Sequence, residues 1–208
     1  MANVLFVKAN NRPSDQSISV KLYDTFVSAY REKNPNDNIT ELDLFESNLP
    51  YYNNEMITGL YKLSNGYEPT AAEQKAADIA NAYTDQFLAA DKVVFAFPLW
   101  NFTIPAQLLT YLSYLSQAGK TFSYTSEGPV GLAGGKKVVL LNARGGVYSE
   151  GPMAQWEMSL NYVKNMLTFW GVTDIETIVV EGHNQFQDRA QQIVETGLAT
   201  AVKVASGF

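Results

Sequence analysis

The chain has 208 residues, of which 46 % are hydrophobic and 17 % charged, a composition typical of a globular protein. We expect one domain spanning residues 1–208. The net charge of −6 disfavours nucleic acid and anionic membranes as partners. Because the chain has no cysteine, disulfides, thiolate catalysis, cysteine-based zinc sites and iron–sulfur clusters are excluded.

In chain order, the first half begins with an apolar run at residues 4–7, which predicts a strand. Apolar residues at helical spacing then predict a helix from Val20 to Tyr30. Residues 39–44 alternate like a strand near a sheet edge, and residues 50–69, rich in Tyr and Asn, suggest an irregular helical segment. Thr70 with Glu73 forms the capping-box pattern of a helix that extends to about Ala90.

The second half continues the alternation of strands and helices. Strands are predicted at residues 93–97, 138–141 and 175–180. A helix begins at Ile104-Pro105, residues 119–135 suit a hairpin, and further helices are expected at residues 153–170 and 186–204.

This alternation predicts an α/β fold, in which a mostly parallel sheet of five strands has helices on both faces. Such sheets bind ligands at the carboxyl ends of their strands. Three loops should meet there, those following the first, third and fourth strands: residues 9–19, 98–103 and 142–151. No apolar run reaches the ~18 residues of a membrane span, and the first residues do not resemble a signal peptide, so we expect a cytoplasmic protein.

Each of the three loops offers a different chemistry. Ser17 and Ser19 lie at a helix start, where hydroxyls and free N–H groups can bind a phosphate, although a serine there can simply cap the helix. Trp100 and Phe102 flank the Asn101 amide, a combination that suits a flat heterocycle or an ordinary buried aromatic turn. Gly145-Gly146 lets backbone N–H groups approach an anionic ring nitrogen, or simply forms a turn.

These loops, together with other segments, resemble the bacterial FMN-dependent NADH:quinone oxidoreductase and azoreductase family. The resemblance implies a flavodoxin-like fold of three layers, with a five-stranded parallel sheet of order 2-1-3-4-5. The resemblance extends over nearly the whole chain, and its most specific parts are residues 98–105 and 119–134. The matching segments are residues 4–8, 17–19, 97–102, 118–125 with 128–129, 144–146 and 181–182.

The resemblance implies non-covalent FMN, NADH or NADPH as co-substrate, and a homodimer with active sites at its interface. The implied cofactor-binding residues are Asn10, Ser17, Ile18, Ser19, Pro98, Leu99, Trp100, Asn101, Phe102, Ala143, Arg144, Gly145 and Gly146. Tyr124 and Phe102 are the implied substrate-pocket residues. The sequence departs from the family at Asn10, where serine is often seen, at Leu99, where methionine is common, and at Ala143, where serine or threonine is frequent.

The function implied is a ping-pong transfer of a hydride from NAD(P)H through the flavin to a quinone or an aromatic azo compound. No side chain is expected to act as a catalytic acid or base, because the cofactor supplies the reactivity. The alternative is a flavodoxin-type electron carrier without reductase activity. A hydrolase would have to use His183, and no G-x-S-x-G motif is present. No cluster of metal-ligand spacing occurs, so no metal is expected.

Overall fold

The computed structural model describes residues 1–208 and contains seven β-strands and six α-helices. The strands are β1 (Asn3–Lys8), β2 (Asn38–Asp43), β3 (Lys92–Pro98), β4 (Phe122–Thr125), β5 (Gly128–Gly131), β6 (Lys137–Arg144) and β7 (Asp174–Glu181). The helices are α1 (Ile18–Lys33), α2 (Asn54–Ser64), α3 (Ala71–Ala89), α4 (Ala106–Leu115), α5 (Leu160–Phe169) and α6 (Ala190–Gly207). Short 3-10 turns lie at Ser14–Gln16, Gly151–Trp156 and Gln187–Arg189.

Five of the strands form one parallel sheet, in the order β2-β1-β3-β6-β7. This is the predicted order, because β4 and β5 pair only with each other, as an antiparallel hairpin between α4 and β6. The predicted fold class and the predicted hairpin are therefore confirmed.

Successive residues of the central strands are buried on opposite faces of the sheet. Leu5, Phe95 and Leu140 belong to the core beneath α3, α4 and α5, which also contains side chains from those helices. The next residue of each strand belongs to the core beneath α1 and α6. Because both faces are covered, these strands are continuously apolar instead of alternating. Full burial of each large apolar side chain stabilises the fold by about 1.5–3 kcal/mol.

The segment at residues 50–69 is helical, as predicted, but α2 is a regular helix, so the prediction of irregular structure was wrong for residues 54–64. The side chain of Asn53 accepts a hydrogen bond from the Met56 N–H and caps α2. Only Met56 and Gly59 of this helix are buried. Met56, Leu60 and Leu63 recur at helical spacing, but the flanking Tyr and Asn residues obscure this short period.

The prediction of one helix over residues 153–170 was also wrong, because the chain breaks between the 3-10 turn and α5. The carboxylate of Glu157 accepts hydrogen bonds from the backbone N–H groups of Ser159, Leu160 and Asn161. A side chain that satisfies these N–H groups takes the place of a preceding helical turn. The last helix likewise starts later than expected, at Ala190, after a 3-10 turn.

The sheet brings the loops after β1, β3, β6 and β7 to one edge, because all four strands run in the same direction. Among the helices, none has the length and apolar character required to cross a membrane.

Candidate functional site

Two adjoining cavities lie at the carboxyl edge of the sheet. The first has a volume of about 450 Å³ and the second of about 520 Å³. They share Leu99, Gly145 and Asn184, so they form one continuous cleft. The structure brings all of the residues predicted to bind the cofactor to this cleft. The first cavity is lined by Asn10, Ser17, Ile18, Ser19, Pro98, Leu99, Trp100, Ala143, Arg144 and Gly145, and the second adds Asn101, Phe102 and Gly146.

The Asn10 side chain orients the two serine hydroxyls of the first cavity. Its amide nitrogen donates hydrogen bonds to Ser17 Oγ at 2.8 Å and to Ser19 Oγ at 2.9 Å. Its amide oxygen accepts from the Arg12 N–H at 3.0 Å, which fixes the orientation of the amide group. Both hydroxyl oxygens thus accept hydrogen bonds from the amide. They also lie 3.3 Å apart, so without a ligand one O–H can donate to the other oxygen, and both protons can rotate to donate to an anion. The departure from serine at position 10 therefore leaves a set of donors suited to an anion.

The start of α1 adds a second set of donors to the first cavity. Ser17 is the N-cap, and its Oγ accepts from the Val20 N–H at 3.4 Å. The first N–H groups of any helix lack partners within the helix, and its dipole end is positive. The start of α1, a helix of 16 residues, therefore lies beside the two oriented hydroxyls and adds donors suited to an anion.

The second loop contains a tight turn with unusual backbone geometry. Trp100 and Thr103 exchange two backbone hydrogen bonds, at 2.9 and 3.0 Å. Between them, Asn101 and Phe102 have φ angles of 48° and 71°. A bulky aromatic residue rarely adopts this left-handed region, and such strain persists mainly at functional sites. The turn presents the Phe102 ring to the second cavity, where it is 37 % exposed.

The third loop packs against a fourth loop, residues 182–185, which follows β7. The carbonyl oxygen of Gly145 accepts from the N–H groups of Asn184 at 2.9 Å and Gln185 at 3.3 Å. A Cβ atom at Gly145 would lie only 2.5 Å from Asn184 Nδ2. The missing side chain at Gly145 therefore leaves room for Asn184 of the fourth loop. It also lets the Gly145 N–H approach a ligand closely.

One loop of the cleft was missed by sequence reasoning. The loop after the last strand had not been included among those expected at the cleft, although β7 ends at the same edge as β6. That position was the signal that could have revealed it. The lining residues missed in this way are His183, Asn184 and Gln185.

The predicted loops at residues 9–19 and 142–151 also line the cleft with residues that had not been named as cofactor-binding. These are Arg12, Asp15, Gln16 and Tyr148.

Two predicted site residues are placed differently from the others. The Arg144 side chain is only 4 % exposed and lies between two carboxylates, with Nε 3.5 Å from Glu181 and Nη1 3.8 Å from Glu157. Tyr124 is 73 % exposed on β4, packs edge-to-face on Phe122, and lines neither cavity.

His183 lies in the wall of the first cavity with its Nδ1 atom shielded from solvent and without a hydrogen-bond partner. Burial lowers the pKa of its imidazole below the ordinary value of 6.5. The ring is therefore neutral at pH 7 and can present one N–H donor and one acceptor nitrogen.

Known proteins share the sequence pattern of this chain. A sequence profile of the family described as having a flavodoxin-like fold matches residues 2–204. The chain belongs to this family. It is 62 % identical over 208 residues, the full length of both chains, to a Brevibacillus brevis protein named FMN-dependent NADH:quinone oxidoreductase.

Solved structures of flavodoxin-like proteins agree with this assignment. An azoreductase from Bacillus anthracis superimposes with a TM-score of 0.98 at 58 % identity and covers 100 % of both chains. A second Bacillus anthracis protein, an FMN-dependent NADH-azoreductase in complex with FMN, matches with a TM-score of 0.86 at 27 % identity over 99 % of this chain and 100 % of the other.

The shift in the His183 pKa can be measured directly, because this flavodoxin-like chain has a single histidine. In a ¹H NMR titration, we expect the imidazole C–H resonance of the folded protein to titrate with a midpoint below 6.5. Below pH 6.5, the unfolded state binds more protons at His183 than the folded state does. The contribution of His183 to the free energy of unfolding should therefore be at its highest above pH 6.5 and decrease as the pH falls below it. The urea-unfolded protein is the control, and a folded-state midpoint at or above the unfolded one would contradict the burial of the ring.

Proposed function

We propose that this protein is an FMN-dependent oxidoreductase, one domain over residues 1–208, that oxidises NADH and reduces quinones and aromatic azo compounds. The observation that carries the proposal is the continuous cleft, with anion donors at one end and aromatic walls at the other. The names of relatives identical at 62 % and 58 % over the full chain support the same activity.

The FMN phosphate fits the first cavity, where Ser17, Ser19 and the first turn of α1 supply the donors. A dianionic phosphate requires several convergent N–H or O–H groups, and this is the donor set that the Asn10 hydrogen bonds arrange. The glycine patterns that bind dinucleotides and nucleoside triphosphates are absent from this loop, which favours a mononucleotide.

The isoalloxazine ring fits between the second and third loops, which are held together by a 2.9 Å hydrogen bond from Leu99 N–H to the Ala143 carbonyl. Residues 98–102 supply the apolar wall and the Asn101 amide. Residues 143–146 supply backbone N–H groups for the edge of the ring at which negative charge accumulates on reduction.

The second cavity is the proposed site for the nicotinamide and, in turn, the acceptor. Phe102 and Tyr148 line it with ring centroids 6.3 Å apart, and planar substrates can lie against such aromatic walls. When bound, FMN supplies the hydride-accepting and hydride-donating centre. The protein binds and orients the two substrates at one place in succession, which requires ping-pong kinetics.

We further propose that two copies of the chain form a dimer around these sites. Beside the second cavity lies a patch of exposed apolar side chains, here called the Trp156 patch, and such a patch favours a protein interface. Tyr124 is exposed and lines neither cavity of its own chain, which supports a role in the site of a second copy. The Trp156 patch consists of Phe102, Met153, Trp156 and Met158, which are 37–47 % exposed. Because NADH is an intracellular reductant, we propose a cytoplasmic location.

The activity is tested with the purified protein alone. We expect a yellow protein whose chromophore is released by denaturation and is bleached by NADH under anaerobic conditions. NADH should be consumed in steady state with menadione and with an azo dye, with parallel double-reciprocal plots when both substrates are varied. A protein that stays colourless with added FMN would contradict cofactor binding. A yellow protein without NADH turnover would favour the electron-carrier alternative.

The dimer is tested by sedimentation equilibrium. The wild type should show twice the chain mass of 23.0 kDa. Met158→Glu should shift the mass to that of one chain, because it puts a charge into the Trp156 patch. Val202→Glu, at a valine of similar exposure on α6, is the matched control and should stay dimeric. A monomeric wild type, or a Met158→Glu variant that dimerises normally, would overturn the proposed interface.

A further inference from the structure

Arg144 is a buried cation that faces two carboxylates from distant parts of the chain. Its side chain and that of Glu157 are each 4 % exposed, and that of Glu181 is 18 % exposed. Neither Nε nor Nη1 of Arg144 has a hydrogen-bond partner, although both are buried. The guanidinium is therefore held mainly by charge, between the two acids.

Glu181 connects Arg144 to the loop that carries Tyr148. Its carboxylate accepts hydrogen bonds from the N–H groups of Tyr148 at 2.9 Å and Ser149 at 3.2 Å, and from the Ser149 hydroxyl. Arg144 and Glu181 are also paired across β6 and β7. The position of one aromatic wall of the second cavity thus depends on Glu181.

Glu157 connects Arg144 to the opposite wall. Burial acts to raise the pKa of this carboxyl, but the Ser159 hydroxyl, two backbone N–H groups and Arg144 together lower it below the ordinary value, so Glu157 is ionised at neutral pH. The next residue, Met158, donates its N–H to the Phe102 carbonyl at 2.9 Å. The preceding residue, Trp156, packs on the Phe102 ring with centroids 5.4 Å apart.

We propose that Arg144, Glu157 and Glu181 form a positioning triad that sets the spacing between Phe102 and Tyr148, and so the fit of nicotinamide and acceptor in the second cavity. The inference rests on the proposed oxidoreductase function. Without the cation, the two acids would repel each other and the two walls would separate. Arg144 is thus a positioning residue, and its guanidinium acts through the carboxylates instead of on the ring of the cofactor.

The charge of the triad can be removed while most of its hydrogen-bond acceptors are kept. In Glu157→Gln, the amide oxygen can still accept from the N–H groups of Ser159 and Leu160, whereas the NH2 group replaces the oxygen that accepts from the Asn161 N–H, and the attraction to Arg144 is lost. Glu181→Gln does the same for the Tyr148 loop. Glu41→Gln is the matched control, because Glu41 pairs with Arg31 on the exposed surface and lines neither cavity.

Two measurements test the triad. In Glu157→Gln and Glu181→Gln, the KM values for NADH and menadione should rise about tenfold, while kcat and the dissociation constant of FMN change by less than about threefold. Glu41→Gln should match the wild type. If Glu157→Gln and Glu181→Gln lose FMN affinity and thermal stability while their KM values stay unchanged, the proposal is overturned, because this result indicates a merely structural role.

The second measurement needs neither cofactor nor turnover. In the apoprotein, NMR should show contacts between the Phe102 and Tyr148 rings in the wild type and in Glu41→Gln, and weakened contacts in Glu157→Gln. Unaltered contacts in Glu157→Gln would overturn the triad. A wild-type protein without FMN binding would instead overturn the proposed function and leave this test of ring spacing intact.

Discussion

Two hydrogen bonds from the Asn10 amide, to the hydroxyls of Ser17 and Ser19, organise one end of the cleft. The amide fills an acceptor position on each oxygen, and the two O–H protons, one of which can donate across the 3.3 Å between the hydroxyls, can rotate to donate to a ligand next to the positive end of α1. This arrangement gives one end of the cleft a preference for an anion. The remaining loops matter for function because the same sheet edge carries them to the anion site.

The main architecture could be predicted from the sequence because strand burial dominates it. The apolar runs of β1, β3 and β6 indicated a sheet covered on both faces, whereas the order of the strands came from the resemblance. Of the two errors, one arose at α2, where the flanking Tyr and Asn residues obscured a short helical period. The other arose where local hydrogen bonds override periodicity, because the Glu157 carboxylate divides residues 153–170 by accepting backbone hydrogen bonds.

The location of the cleft could be predicted because its loops follow the carboxyl ends of the strands. The loops around Ser17, Trp100 and Gly145 were found this way, whereas His183 and Asn184 were missed because the end of the last strand was not considered. The surroundings of Arg144 were beyond sequence reasoning, since Glu157 and Glu181 become its neighbours only through folding. The resemblance to known oxidoreductases gave Arg144 a place in the site but not its contacts.

The most direct test of the central claim compares the binding of FMN and riboflavin, which differ only in the phosphate. Wild type and Ser28→Ala, at an exposed serine of α1 outside the cleft, should bind FMN much more tightly than riboflavin. Because a hydrogen bond to a charged group contributes about 1.5–3 kcal/mol, Ser17→Ala/Ser19→Ala should weaken FMN binding about 100-fold or more while riboflavin binding stays unchanged. Equal wild-type affinity for the two flavins, or equal losses for both in the double variant, would contradict the account.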